Sequence, residues 1–380
     1  MNFQLDAEQT LLQDSVRRFV DKAYACEQRG ACQSDGSGNW QRFAEQGWLA
    51  AALPEAYGGL GGSVIETTLI AGEFGRGLVT EPYLGCAVLA AQTLAAAASP
   101  AQREPLLPTL ADGSQRIALA YSEATSFGDP EVVTTQATPT THGYLLDGCK
   151  TMVLGAVGAD RFIVSARLTH EPTAVTDVAL FLVDAGSPGL TLTPWTLHDG
   201  SQAAELALDR VSVGSEALLG VPGNGLAALR HGLAHAVAAL GAELVGAMEH
   251  AIEITADYLK IRKQFGVAIG SFQALQHRMA DMAAECEMAR SMLYALLVAI
   301  GNDEASARDY AVSQAKALIG RAARFVCGQA IQLHGGIGMT EECRVGHYFK
   351  RAVVAELLFG NSDRHEATCA AALGRSLRRE

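Results

Sequence analysis

The sequence predicts a mainly α-helical protein with a β-sheet domain at its centre. Three observations support this fold class. Apolar residues recur at helical spacing near the start, short β-rich runs broken by turn residues extend to Val213, and helical spacing returns after Pro222. Seven of the eleven prolines lie from Pro105 to Pro194, which favours a sheet over helices there. We therefore expect three domains, over residues 1–115, 116–222 and 223–380.

The composition excludes several classes of protein. Apolar residues make up 49% and charged residues 18%, enough for a buried core and unlike a disordered chain. No run of roughly 18 to 20 apolar residues predicts a membrane span, and Met1–Asp6 lacks the features of a signal peptide. The eight cysteines lack the spacing of metal ligands, so we expect no metal site. They are expected to be reduced thiols of a cytoplasmic protein. The net charge of −12 argues against nucleic-acid binding.

Helices are predicted throughout the first domain. Asp6 can cap a helix that begins near Glu8. The apolar positions of this helix recur at helical spacing and are Leu11, Leu12, Val16, Phe19 and Val20. A second helix ends near Gly47, the glycine-rich segment 53–62 is a loop, and further helices are expected at about 63–76 and 83–98.

Short strands are predicted in the central domain. Asp147-Gly148, between Tyr144–Leu146 and Cys149–Leu154, has the composition of a β-hairpin turn. Phe162–Val164 and Ala179–Val183 are uninterrupted apolar runs, which is typical of buried strands.

The last domain is predicted to be a four-helix bundle. Its helices are expected at about 226–259, 271–301, 304–335 and 362–377. A helix of roughly 30 residues is about 45 Å long, a length that suits such a bundle.

Two phrases in this domain have the composition of a dinucleotide site. They are Ile261–Gly266, which contains Arg262 and Phe265, and Gln332–Gly338, which contains a Gly-Gly step. An arginine suits a pyrophosphate, and glycine lets backbone N–H groups approach a ligand. The order and spacing of the phrases resemble the acyl-CoA dehydrogenase family, flavoenzymes that use FAD to insert a 2,3-double bond into an acyl-CoA. The resemblance covers nearly the whole chain, and Gly346–Arg351 is most similar to the small subunits of pimeloyl-CoA dehydrogenases.

The resemblance implies which residues bind FAD. Arg262 is similar to the arginine that reaches the FAD diphosphate of the neighbouring subunit, where a guanidinium can bind two oxygens at once. The other matched cofactor positions in this domain are Gln264, Phe265, Phe272, Gln273, Gln332, Leu333, His334, Gly335, Gly336, Asn361 and Ser362. Gly128 and Gly360 match positions that contact the substrate.

The segments that match the flavin-ring site depart from the family pattern. Ser122–Asp129 keeps a hydroxyl at Ser122 but lacks the family's Pro-Gly turn. The family's Trp-Ile-Thr corresponds to Met152, Val153 and Leu154. These side chains can cover an aromatic face by dispersion but cannot replace the threonine's hydrogen bond. The resemblance therefore implies an altered flavin site.

The general base of the family is missing at both of its known positions. The reaction needs a carboxylate that removes the α-hydrogen while hydride leaves the β-carbon. The family supplies this glutamate from a C-terminal loop or from the first bundle helix, and these positions are Phe359 and Ala236. The next helix position, an arginine in many relatives, is Val237.

Other groups are weak substitutes for this base. Glu243 lies on the face of Ala236 but roughly 10 Å further along the helix, beyond hydrogen-bond reach. Asp363 and Glu356 flank Phe359 and stay open as alternatives. The two histidines further along, His334 and His365, are expected at an interface or on the surface.

The pattern favours one subunit of a heteromeric FAD enzyme. Because FAD sites of the family form between two chains, this chain can donate Arg262 and Gln332–Gly336 while a paralogous large subunit supplies the base. The whole enzyme would dehydrogenate an acyl-CoA, with dicarboxylyl-CoA as a candidate, and pass electrons to an electron-transfer flavoprotein. A cytoplasmic dimer or tetramer is expected. The alternatives are a self-sufficient homotetramer that uses Asp363 or Glu356, and a scaffold subunit without flavin.

Overall fold

The computed structural model describes residues 4–24, 38–169, 178–302 and 304–376. The first helices are α1 (Ala7–Ala23), α2 (Trp40–Glu45), α3 (Val64–Gly77), a π-helix (Tyr83–Ala90) that continues as α4 (Ala91–Ala97), and α5 (Pro100–Ala111). The central strands are β1 (Ile117–Ala120), β2 (Gln136–Pro139), β3 (Gly143–Leu154), β4 (Arg161–Leu168), β5 (Val178–Asp184), β6 (Leu190–Thr196) and β7 (Gln202–Gly214). The last elements are α6 (Gly225–Ile261), β8 (Lys263–Gln264), β9 (Val267–Ala268), α7 (Gln273–Gly301), α8 (Ala305–His334), α9 (Arg344–Leu357) and α10 (Ser362–Ser376).

The predicted fold class is confirmed, but two helices were not predicted. In α5, Pro100 occupies the first turn, where proline is favourable, and Ser99 forms a capping box with Gln102. Pro105 and Pro108, however, lie inside the helix, where proline is usually unfavourable, so the proline count did not predict α5. The helix α9 lies in a segment without a prediction, so the described C-terminal part has five helices rather than four. The positions 1–3 and the predicted helix end at 377 lie outside the described residues.

The N-terminal helix begins where the sequence predicts. The Asp6 carboxylate accepts the Gln9 N–H (2.8 Å), and the Gln9 carboxamide accepts the Asp6 N–H (3.2 Å). Val16 and Val20 are buried, whereas Leu11 is 65% exposed. The buried stripe of α1 is thus narrower than its apolar pattern suggests.

The seven central strands form one sheet in the order β1-β4-β2-β3-β7-β6, with β5 on β4. The predicted buried strands, Phe162–Val164 and Ala179–Val183, are confirmed as parts of β4 and β5. The predicted hairpin turn at Asp147-Gly148 is wrong, because β3 continues through it with a register shift against β7. A Cβ at Gly148 would lie 2.5 Å from the Thr135 hydroxyl oxygen, so this glycine permits a close approach at a β-bulge.

The chain forms two compact units. One consists of Met1–Arg29, Thr68–Val79 and Val237–Glu380, and the other of Gly30–Thr67 and Thr80–Ala236. Within the first unit, α3 crosses α6 at glycines. A Cβ at Gly75 would lie 1.9 Å from the Glu243 carbonyl oxygen. The two helix backbones are therefore in direct contact.

No helix in the described part of the chain is long and apolar enough to cross a bilayer. The same residues contain no group of three or more metal-binding side chains. The six cysteines among them are free thiols.

The α3–α6 crossing predicts a strong effect of Gly75→Ala. The added methyl group collides with the α6 backbone, so the variant should lose about 1–3 kcal/mol of unfolding free energy, measured by urea denaturation. Gly374→Ala is the matched control, since nothing lies within 4 Å of a Cβ there. The control should be neutral or stabilising by up to about 1 kcal/mol. Equal stability of the two variants would contradict the close crossing.

Candidate functional site

The first phrase singled out by the sequence lies at the end of α6. The Arg262 N–H still donates to the Tyr258 carbonyl (2.9 Å), and the β8–β9 hairpin follows. Its turn residues, Phe265 and Gly266, have φ angles of 52° and 84°. Two consecutive positive φ angles are those of a type I′ turn, a conformation that bulky residues rarely adopt. The hairpin thus presents the Phe265 ring, which is 92% exposed.

The Arg262 side chain is accessible to an anion. It is exposed, and no residue of the described ranges forms a hydrogen bond or ion pair with its guanidinium. Phe272 meets Phe265 edge-on, with ring centroids 6.3 Å apart. Gln264 in the hairpin and Gln273 at the start of α7 are also exposed. An exposed arginine in the same short segment as two aromatic residues provides the groups that suit a phosphate linked to a planar base.

The second phrase lies at the end of α8. A contact between Tyr258 and His334 joins it to α6, the helix that leads into the first phrase. The Tyr258 ring stacks on His334, with centroids 4.4 Å apart, and its hydroxyl donates to the His334 carbonyl (3.4 Å). The helix then ends at Gly335, whose φ is 66°. Gly336 is exposed, and a Cβ there would meet nothing within 4 Å. Both phrases therefore end on accessible surface.

The side chains of this second phrase divide between surface and core. Gln332 is exposed, whereas Leu333 and His334 are each 6% exposed. The His334 Nδ1–H donates to the Ala330 carbonyl (2.8 Å), and burial lowers the pKa of His334. The expected interface or surface position of His334 is wrong, since its side chain is buried against Tyr258 of α6. Of the matched positions 332–336, a ligand can therefore reach Gln332 and the two glycines.

A buried ion pair anchors the flavin-matched segments of the central sheet. Lys150 Nζ lies 2.7 Å from Glu123 Oε1, and both side chains are almost fully buried. The Glu123 carboxylate also accepts the N–H groups of Thr134 (2.8 Å) and Thr135 (3.0 Å). Burial alone would raise the pKa of Glu123, but the Lys150 charge and these hydrogen bonds lower it to about 2. Burial lowers the pKa of Lys150 to about 8, and the Glu123 charge opposes this shift.

The residues matched to the flavin ring lie next to this pair. The Ser122 carbonyl accepts the Thr151 N–H (2.9 Å), which joins the loop to β3. Met152, with a φ of 52°, lies where the register of β3 against β7 shifts. Met152 and Leu154 are partly exposed, whereas Val153 is only 1% exposed. The structure thus brings Ser122, Met152 and Leu154 together but turns Val153 into the core.

The loop that carries Gly128 is ordered by Ser126. The Ser126 hydroxyl oxygen accepts the N–H groups of Glu123 (3.0 Å) and Gly128 (3.4 Å) and donates to the Glu123 carbonyl (2.9 Å). Phe127 and Gly128 have φ angles of 49° and 83°, and Phe127 is 78% exposed. Two consecutive left-handed residues thus precede Asp129 in this loop.

Both positions of the family's base carry buried apolar side chains. Ala236 and Val237 in α6 are 0% and 3% exposed, and Phe359, between α9 and α10, is 8% exposed. The first substitute, Glu243, forms a bidentate ion pair with Arg351, at 2.5 and 2.9 Å. This carboxylate is therefore already neutralised inside the bundle.

The substitutes that flank the turn, Glu356 and Asp363, also have other partners. The Glu356 oxygens accept the backbone N–H (2.8 Å) and the hydroxyl (2.9 Å) of Ser362. The Asp363 side chain is 86% exposed and pairs with Arg321 (3.2 Å). Neither arrangement leaves a carboxylate directed at a carbon acid.

A buried polar cluster under this turn was not predicted. The His365 Nε2–H donates to the Phe359 carbonyl (3.0 Å), and its Nδ1 accepts the Ser313 hydroxyl (3.2 Å). The ammonium of Lys316 donates to a carbonyl of α9 (3.1 Å). The expected interface or surface position of His365 is wrong, since this residue is 8% exposed. The sequence does contain one signal for this cluster, because Lys316 is the lone charged residue in the apolar segment 315–319.

Only one of the ligand-matched positions in this turn is accessible. Asn361 is exposed, and its side-chain oxygen accepts the Arg364 N–H (3.0 Å), which caps α10. Ser362 is 2% exposed, and its hydroxyl is used internally. Gly360 has a φ of 95°, and a Cβ there would lie 3.0 Å from the His365 ring nitrogen. Glycine is therefore required at this position by the chain itself.

Comparison with known families covers nearly the whole chain. The models of the N-terminal, middle and C-terminal domains of acyl-CoA dehydrogenase match residues 6–114, 118–211 and 223–374. The probable acyl-CoA dehydrogenase YngJ of Bacillus subtilis is 30% identical, over 96% of this chain and 97% of its own.

Solved structures share the fold over the same length. The ChsE4-ChsE5 complex from Mycobacterium tuberculosis matches with a TM-score of 0.88 and 26% identity, over 100% of both chains. The structure of PigA with FAD and proline matches with a TM-score of 0.90 and 25% identity, over 98% of this chain and 99% of that one.

The buried His365 predicts a pH-dependent stability. Burial lowers its pKa from 6.5 to about 4, so the folded state binds fewer protons than the unfolded state in that window. This contribution is complete above pH 6.5 and is lost as the pH falls towards 4, by about 3 kcal/mol in total. His365→Gln should remove this part of the pH slope in urea denaturation. The control is His142→Gln at an exposed histidine. An unchanged slope in His365→Gln would contradict the prediction.

Proposed function

Because the chain belongs to the acyl-CoA dehydrogenase family, we propose that it is an FAD-binding subunit of a heteromeric enzyme that dehydrogenates acyl-CoA thioesters. The main support is the exposed Arg262 guanidinium at the end of α6, together with the open surface at Gly335 and Gly336 at the end of α8, two helices that the Tyr258–His334 contact joins. Both base positions, in contrast, hold buried apolar side chains. Such a chain can bind a cofactor phosphate but lacks its own means of removing the α-proton.

The residues matched to FAD lie in two groups, one in each compact unit. Arg262 would bind the diphosphate, with Phe265 and Phe272 near the adenine. Ser122 and Met152 would flank the flavin ring, as the family pattern implies. FAD, when bound, supplies the acceptor for the hydride that leaves the β-carbon. The similarity to PigA, whose structure includes FAD, supports this assignment.

The partner would supply the missing base. In this proposal Arg262 and the Gln332–Gly336 segment contact FAD across a subunit interface, and a paralogous chain contributes a glutamate and the thioester pocket. The similarity to the ChsE4-ChsE5 complex supports a heteromer. The substrate class is an acyl-CoA, with a dicarboxylyl-CoA as the candidate, and an electron-transfer flavoprotein would receive the electrons.

The two alternatives have less support. A self-sufficient homotetramer would need Glu356 or Asp363 as base, but Ser362 and Arg321 occupy these carboxylates. A scaffold without flavin would have no need of an exposed Arg262. Visible flavin absorbance of the purified chain, after incubation with FAD, separates the scaffold from the other two.

Arg262→Ala should weaken FAD binding. A lost charged hydrogen bond costs about 1.5–3 kcal/mol, which corresponds to a roughly 10- to 150-fold higher Kd in a fluorescence titration. Lys260→Ala is the control, because it removes a nearby cation that pairs with Asp257 instead. Unchanged FAD affinity in Arg262→Ala would refute the role of this arginine.

The isolated chain should barely bleach its flavin with saturated acyl-CoAs. Loss of a general base typically lowers the rate by about 10²- to 10⁴-fold. Addition of a paralogous large subunit that keeps its glutamate should restore turnover, measured as anaerobic flavin bleaching. Fast bleaching by the isolated chain would disprove the division of labour. In that case Asp363→Asn and Glu356→Gln would identify the base.

A further inference from the structure

A groove of about 490 Å³ lies between the end of α6, the β8–β9 hairpin and the start of α7. Its volume is within the range of roughly 300–1,000 Å³ that is typical of small-molecule sites. The lining is mainly apolar, and its apolar side chains are those of Ala256, Leu259, Ala268 and Met279. All of these residues belong to the same compact unit, so the groove is a feature of that unit alone.

Backbone contacts fix the shape of this groove. A Cβ at Gly270 would lie 3.0 Å from the Leu259 carbonyl oxygen, so the chain after the hairpin packs against the backbone of α6. The Gln276 carboxamide donates to the Gly270 carbonyl (2.9 Å), which joins α7 to the same segment. The walls of the groove are therefore preformed, as is usual for small-molecule sites.

Two lysine side chains stand at the rim of the groove. Lys260 lines it from α6. Lys263 pairs with Ala268 across the hairpin, and the side chains of directly opposite residues lie on the same face of a β-ladder. Since Ala268 lines the groove, Lys263 lies on the groove side as well. The groove thus combines an apolar lining with two cations, in a chain whose net charge is −12.

Both lysines are accessible to an anion. Lys260 is exposed and pairs with Asp257 (2.9 Å), an exposed residue of the same helix. An exposed pair of this kind contributes little stability, so a bound anion can replace Asp257. Lys263 is also exposed, and in the described part of the chain no residue forms an ion pair with its ammonium.

The groove is separate from the arginine proposed to bind FAD. Lys260 and Arg262 are two residues apart, which places their side chains about 200° apart around α6. In the hairpin, Gln264 follows Lys263 and points to the opposite face, because side chains alternate along a strand. Arg262 and Gln264 are thus directed away from the two lysines.

We propose that this groove binds an aliphatic carboxylate, with the alkyl chain against the apolar lining and the carboxylate between Lys260 and Lys263. An alkyl chain gains free energy when it leaves water for an apolar surface. The two ammonium groups favour an anionic head group over a neutral one. Inorganic phosphate would use the lysines but leave the apolar lining exposed to water. The site is additional to the proposed function and requires neither FAD nor an acyl-CoA.

The test is the binding of decanoate to the purified chain, measured by isothermal titration calorimetry. Decanoate should bind saturably and more tightly than decanol, which has the same alkyl chain without the charge. Lys260→Gln and Lys263→Gln should each weaken decanoate binding by about two- to fivefold, the range for exposed ion pairs. Lys22→Gln removes an exposed lysine from α1 and is the matched control, which should bind decanoate like the wild type.

Two further variants test the position of the ligand. Asp257→Asn removes the carboxylate that competes for Lys260, so it should strengthen decanoate binding by about two- to fivefold. A merely structural role of this pair would not produce such a gain. Ala256→Phe places a ring in the groove and should abolish decanoate binding, while far-UV circular dichroism stays unchanged.

Four results would overturn the proposal. They are the absence of saturable decanoate binding, equal affinity for decanoate and decanol, decanoate binding that neither the lysine variants nor Ala256→Phe alters, and no gain in Asp257→Asn. The FAD titration of the wild-type chain is a separate measurement. Failure to bind FAD would count only against the proposed function, and failure to bind decanoate only against this site.

Discussion

The burial of α6 decides where the bundle can carry charge. From Gly232 to Met248 every residue of this helix is buried. An ionised group in such a place is costly unless it is paired. Glu243 meets this condition through Arg351, and the two positions matched to a base and a substrate arginine are Ala236 and Val237. Exposure begins at the far end of the helix, and there Arg262 appears. In the middle of the helix the carboxylate is therefore paired, while the accessible end carries an unburied arginine.

Sequence patterns predicted the elements that are determined by residues close together in the chain. The Asp6 cap, the buried strands and the two glycine-containing phrases all have local signals that survive in the fold. The turn predicted at Asp147-Gly148 was wrong because Gly148 permits a close contact with Thr135, a residue outside the local sequence pattern. The helix α5 was missed because it holds Pro105 and Pro108 in its interior, where proline usually argues against a helix.

The buried polar groups mark the limit of prediction from sequence. His334 and His365 look like surface residues in the sequence because histidine is often exposed. Their burial depends on distant partners, Tyr258 for one and Ser313 for the other. The burial of Glu123, in the loop after β1, likewise depends on a distant partner, Lys150 of β3. Each of these contacts fixes a backbone segment next to a matched ligand position, so the missed residues are the ones that order the site.

Adjacent glycines at the end of α8 are required for different reasons. Gly335 has a positive φ, so its own backbone needs glycine, while a side chain at Gly336 would meet no atom of this chain within 4 Å. A mutational scan scored by folding would therefore reject most substitutions at the first glycine and accept them at the second. If Gly336 contacts FAD as proposed, a scan scored by function would reject both. If Gly336 tolerated substitution in the folding scan but not in the functional scan, glycine would be required there for ligand binding and not for folding.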